Sequence, residues 1–257
     1  MIKLFVFIAV LLSTFVIKAQ EPSVMKNIKG GSFVPLYGSD SLGVYVRSFK
    51  LDTYPVTNKQ YLEFVKSNKK WRKSNVLRLF ADESYLRKWK NDTILSSEMK
   101  LKSAVTNVSW YAAKDYCACQ GKRLPSIDEW EYVAMASEAK ANAQTDSVFN
   151  SKIIESYELP KTYKNEVGHK FKNYYGIYDM HGLVWEWTSD FNSVLISGES
   201  RQDVDTEKNL FCGSAAINAS NLMDYAAFMR YAFRGAIKAN YNIQTLGFRC
   251  AQSIKRK

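Results

Sequence analysis

Two histidines, five prolines and twelve glycines are all that this chain of 257 residues holds of the types that most often build metal centres, general bases and tight turns. His169 and His181 stand alone, and no HExxH, P-loop, GxSxG or CxxC pattern occurs. Zinc-protease, nucleotide-triphosphatase, serine-hydrolase and thioredoxin-type chemistries are thereby excluded. No alternation of strands with long helices appears, which argues against a Rossmann-type dinucleotide site. Acidic neighbours such as Asp128 and Glu129 open a helix and are explained by capping rather than by glycosidase chemistry. Linkers rich in Pro, Gly or Ser, low-complexity segments and internal repeats are also missing, so residues 20–257 are expected to form a single domain.

Long apolar runs are equally scarce. The one candidate is "MIKLFVFIAVLLSTFVIKAQ", where Lys3 precedes an apolar stretch from Leu4 to Leu12 and the segment closes on Ala19. That stretch falls short of the ~20 residues a bilayer span needs. It reads as a signal peptide over residues 1–19, without the cysteine of a lipoprotein, and implies a secreted or periplasmic protein with no membrane insertion after cleavage. Loss of Lys3 and Lys18 lowers the formal charge from +11 to +9. Basic residues are scattered, and clusters such as "KSNKKWRK" carry no helix-turn-helix or RNA-binding signature, so a solvated basic face is expected and no nucleic-acid partner.

Aromatic side chains are abundant: sixteen Tyr, fourteen Phe and six Trp must fill a core with little regular structure. Thr57 with Gln60 forms a capping box ahead of Tyr61, Phe64 and Val65. A second helix starts at Ser109, carries a buried stripe of Trp110, Ala113 and Cys117, and stops at Gly121. A third follows Pro125, where Ser126 and Glu129 form another capping box before Trp130 and Val133. Helical turns are also expected in "SNVLRLFADESYLRKW" and "DYAAFMRYAF", and short strands in "GSFVPLYG" and "VYVRSFKLDTYPV". The pattern is an irregular α+β one.

Five stretches, in order, carry a resemblance to a known family: "IKGGSFVPL", "LDTYPVTNKQYLEFV", "AVTNVSWYAAKDYCACQGKRLPSIDEWEYVA", "YGIYDMHGLVWEWTSD" and "TLGFRCA". They resemble the formylglycine-generating enzyme, or sulfatase-modifying factor, family over nearly the whole chain. The resemblance implies an elaborated C-type-lectin-like α+β fold with short strands and few helices. Fold alone does not fix function, since the same scaffold serves oxidising enzymes, accessory proteins and binding modules.

Four cysteines allow three complete pairings. The family ties the cysteine of the second helix to that of "LGFRC", which implies a Cys117–Cys250 disulfide. Helical geometry agrees, because Cys119 points about 200° away from Cys117. Oxidising members of the family hold copper(I) with two further thiolates, spaced five apart, shortly after a "GGS" motif. Here "CGS" stands in that place. Counting forward from Ser214 puts Ile217 and Leu222 at the thiolate positions, and counting back from Arg234 puts Asn221 and Ala226 there. Neither register supplies a thiolate, so classical formylglycine-generating activity is not expected. Ser214 and Trp185 match the serine and tryptophan of the family's oxygen pocket. Cys212 is then either a relocated nucleophile or single copper(I) ligand facing that pocket, or a small buried residue at a crowded strand position. The cysteine-bearing version also resembles accessory proteins found beside copper-containing nitrite reductases.

The family's "GLYDMxGNVWEW" loop holds a structural calcium. Residue by residue this implies ligation by the side chains of Asp179 and Glu186 and by the backbone carbonyls of Gly182 and Val184, hard oxygen donors of the kind calcium takes. Leu183 departs from the usual asparagine. Two function classes remain: a secreted maturation or accessory factor acting on a partner protein of the cell envelope, with Cys212, Trp185 and Ser214 at its cleft, or a noncatalytic envelope-binding module.

Overall fold

A computed structural model describes residues 24–34, 43–190 and 237–254. Segment 1–19, "DYAAFMRYAF", Cys212 and Ser214 lie outside the described residues. Chain order is β1 (Met25–Ile28), β2 (Gly31–Phe33), β3 (Val44–Val46), β4 (Phe49–Asp52), α1 (Asn58–Ser67), α2 (Trp110–Cys119), α3 (Ile127–Ala134), α4 (Ser147–Glu158), β5 (Trp185–Glu186), β6 (Leu246–Gly247) and β7 (Ala251–Ser253). Short strands and few helices make the α+β class plain. No helix among the described residues is long and apolar enough to cross a membrane.

Strand β4 is central to a three-stranded antiparallel sheet, with β1 on one side and β7 on the other. Its register sets Met25 opposite Asp52 and Leu51 opposite Ala251, so the beginning and end of the described chain meet on one strand. β2 pairs with β3 antiparallel, and β5 with β6 in parallel.

The helices follow their caps. The Thr57 side chain accepts from the Gln60 amide while the Gln60 side chain accepts from Thr57, and Ser126 with Glu129 repeats the arrangement at α3. Helix α2 starts at Ser109 as expected and buries Ala112, Ala113, Tyr116 and Cys117. Trp110 is only half-buried, because its indole turns away to donate to the carbonyl of Thr188 at 2.8 Å. Segment 74–89 forms turns instead of helix. Leu86 adopts a φ of 46° and gives its amide to the distant Asn107 carbonyl, and the Asp82 carboxylate accepts from the Ser84 amide, so a long-range bond and a local turn replace the helical ladder. Helix α4 has no counterpart in the expectations above; Asp146 caps it through the amides of Val148 and Phe149, and Phe149 and Ile153 face inward.

The larger core packs α1 and α2 against the chain's last strands. Tyr61, Phe64, Tyr116 and Phe248 lie 5.2–6.2 Å apart, centre to centre, in tilted, stacked and edge-on pairs. The buried Tyr61 and Tyr85 hydroxyls meet at 2.7 Å and Tyr85 donates onward to the Trp71 carbonyl, so neither phenol is stranded. Burial raises the Tyr61 pKa well above an ordinary phenol's, with the neighbouring Tyr85 adding to the shift. A second core joins strands β1–β4 to α3 through Ile28, Phe49, Leu51, Trp130 and Val133.

Candidate functional site

The parallel pair β5–β6 positions the central residues. Its alternation sends Trp187 into the larger core, where the indole donates to the Val108 carbonyl at 2.9 Å, and turns Glu186 toward the opposite face. Gly247 on β6 is required by the packing: an added Cβ would lie 2.7 Å from the Val105 carbonyl oxygen.

Glu186 faces Arg249, and neither side chain is exposed to solvent. The Arg249 Nε lies 3.0 and 2.8 Å from the two carboxylate oxygens, Nη2 donates to Oε1 at 2.8 Å, and the Trp130 indole donates to Oε2 at 2.9 Å. The same guanidinium reaches the carbonyls of Asp52, Thr53, Tyr178 and Asp179 at 3.2–3.5 and 2.9–3.4 Å. One buried cation thus ties together β4, β5, the 178–179 turn and the closing strand region. A buried charge is tolerated only when paired and hydrogen-bonded, and both conditions are met.

Asp179 sits at a φ of 59° with its carboxylate turned to the backbone amides of Gly168 and Lys170. Burial raises its pKa, against the opposing pull of those two amides. Gly182 has a φ of 74°, and an added Cβ would stand 2.5 Å from the Cβ of Ser156, so α4 lies directly against the loop. Thr162 donates to the Leu183 carbonyl at 2.9 Å. Leu183 is buried beside Ala104 and Val184, which accounts for an apolar residue where the family has asparagine.

The calcium ligands implied by the resemblance, Asp179, Gly182, Val184 and Glu186, can be compared with this geometry. Calcium takes about six to eight oxygens with lone pairs free to ligate. Both Glu186 oxygens are already filled by Arg249 and Trp130, and Asp179 is committed to amides. A buried guanidinium also brings positive charge to the place where the ion's charge would neutralise Glu186. The four residues, arranged this way, do not fit a calcium ion. Among the described residues, no group of three or more His, Cys, Asp or Glu side chains converges on a metal position.

Trp185 is half-buried at the edge of the larger core, and its ring is stacked on Tyr157 of α4 at 4.6 Å and 17°. The Tyr157 hydroxyl lies 3.3 Å from His181 Nδ1, while His181 Nε2 lies 2.8 Å from the Ala134 carbonyl. A carbonyl only accepts, so Nε2 carries a proton, and in the neutral imidazole Nδ1 then accepts from the phenol. Tyr157 is not marked in the sequence as a partner of Trp185, nor His181 as a partner of Tyr157, because nothing there places α4 beside the loop. How Trp185 stands toward Cys212 and Ser214 lies outside the described residues.

Cys117 and Cys250 are bonded, with Cα atoms 5.6 Å apart, and Cys119 is a free exposed cysteine. The pairing is the one implied by the resemblance.

Comparison with known proteins accords with this architecture. The profile of the sulfatase-modifying factor enzyme 1-like domain matches residues 16–254. The inactive C-alpha-formylglycine-generating enzyme 2 of Mus musculus is 29% identical over 285 aligned positions, covering 93% of this chain and 88% of the relative. The formylglycine-generating enzyme of Bos taurus is 30% identical over 164 positions, 57% of this chain and 43% of that enzyme. The crystal structure of CarF superposes with a TM-score of 0.51 at 16% identity, covering 91% of this chain and 99% of CarF, a likeness of fold alone. The chain belongs to the family of sulfatase-modifying factor enzyme 1-like domains.

Proposed function

We propose that this chain is a maturation or accessory factor that acts on a partner protein outside the cytoplasm and does not carry out classical formylglycine generation. One observation carries the reading: Ile217 and Leu222, or Asn221 and Ala226, stand where paired thiolates would be needed, in a chain that otherwise keeps the family's scaffold. A single thiol cannot supply the two soft ligands that hold copper(I) in the oxidising members. The long alignment with a relative named as inactive supports the same reading. The working cleft in this proposal comprises Cys212, Trp185 and Ser214, with Cys212 as a reactive thiol or single copper(I) ligand.

Deletion of the gene in its source cell tests the proposal. A specific extracytoplasmic partner should lose activity or a covalent modification and regain it with the wild-type chain, but not with Cys212→Ser. A partner that matures normally without the chain would contradict it. The stacking of Tyr157 over one face of Trp185 favours a second reading, a noncatalytic binding module on this scaffold. In that case Cys212→Ser would restore the partner fully.

A further inference from the structure

Away from the Glu186–Arg249 centre, α2 and segment 70–80 enclose a groove of about 390 Å³. Trp71, Val76, Leu77, Phe80 and Tyr111 supply its apolar lining. Its rings are fixed edge-on: Trp71 to Phe80 at 6.3 Å and Phe80 to Tyr111 at 5.4 Å. Leu77 in the lining stands 64% exposed, and Leu79, two residues on in sequence, 73%, so apolar surface is concentrated here.

Charge around the groove is mainly positive. Lys70 and Lys114 line it and are exposed, and Lys69 and Arg78, also exposed, adjoin it in sequence. Asp115 is the one acid in the lining, and it is engaged by the Trp71 indole and by Lys70 at 2.9 Å. Lys114 is held over the Trp110 ring at 4.6 Å, at the mouth. A concave aromatic floor receives a protruding apolar side chain, and a basic rim selects acidic neighbours for it. A second copy of this chain would bring the same basic rim against itself, and a flat bilayer would leave the concave floor unfilled.

We infer that this groove docks a partner protein through a leucine or aromatic side chain flanked by aspartate or glutamate. The inference goes beyond the proposed cleft at Trp185 and holds whether or not the partner is modified there.

Selection of a random peptide display library on the whole protein tests it. Enriched peptides should combine a leucine or aromatic residue with flanking acids. Tyr111→Glu, which places an acid in the floor, and Leu77→Lys, a change at an exposed position, should each weaken their binding by about tenfold or more. Both variants should melt where the wild type does, which separates lost docking from lost folding. The inference is overturned if no peptide is enriched, if enriched peptides lack acids, or if their binding ignores both substitutions. It is also overturned if the substitutions instead abolish self-association in sedimentation or binding to phosphatidylglycerol vesicles. Because the readout is binding to the groove, its failure leaves the Cys212→Ser complementation result untouched.

Discussion

The guanidinium of Arg249 and the carboxylate of Glu186 meet with neither side chain exposed at the surface, and the pair is further joined by the Trp130 indole and four backbone carbonyls. Removing one member leaves the other as an uncompensated buried charge, which typically costs about 3–5 kcal/mol. Arg249→Met should therefore reduce unfolding free energy in urea by that order. The double variant Arg249→Met with Glu186→Leu should be less destabilised than Arg249→Met alone, since no charge is then stranded. Equal stability of wild type and Arg249→Met would show that the pair does not organise the loop.

Calcium provides an independent check on the same centre. With Glu186 filled by Arg249, the melting temperature should be the same in excess calcium and in chelator, and elemental analysis of purified protein should find no stoichiometric calcium. A melting temperature that rises with calcium would mean that Glu186 exchanges its partner for the ion.

The sequence carried the helix starts, because caps are local: Thr57 with Gln60 and Ser126 with Glu129 each need only four consecutive residues. Strand segments around Val44 and Phe49 were legible for the same reason. Helix α4 was not, although Asp146, Phe149 and Ile153 hold a cap and an inward face, since no capping box marks its start. The loop at Asp179 to Glu186 is legible as a motif, but the partner its carboxylates take is not. Its charge is balanced by Arg249, 63 positions from Glu186, and no local pattern reveals which partner a carboxylate will take. Leu183 was the one residue in that loop that signalled a departure, and its burial beside Ala104 explains it.

The disulfide closes a separation of 133 residues. In the chain-entropy account a crosslink over such a loop stabilises by up to roughly 5 kcal/mol, so mild reduction should lower stability markedly. Peptide mapping without reduction should recover Cys117 joined to Cys250. Cys119 should alkylate in the folded protein, but slowly at neutral pH: partial burial, with Asp115 beside it, raises its pKa above an ordinary thiol's. Its alkylation rate should climb with pH and level off later than that of a free thiol, because the thiolate is the reacting form. A bridge found at Cys119 or Cys212 would contradict the expectation that Cys117–Cys250 is the one disulfide with both other thiols reduced.

If the scaffold persists without the paired-thiolate chemistry, this protein leaves a substrate cysteine unconverted. Mass spectrometry decides this on a sulfatase-type cysteine peptide incubated with the purified protein, oxygen and copper(I). The peptide should keep its cysteine mass, with copper or without it, while an active formylglycine-generating enzyme run in parallel converts the same peptide. Appearance of formylglycine with this chain, lost on Cys212→Ser, would contradict it and show that a lone thiol on this scaffold suffices to activate oxygen.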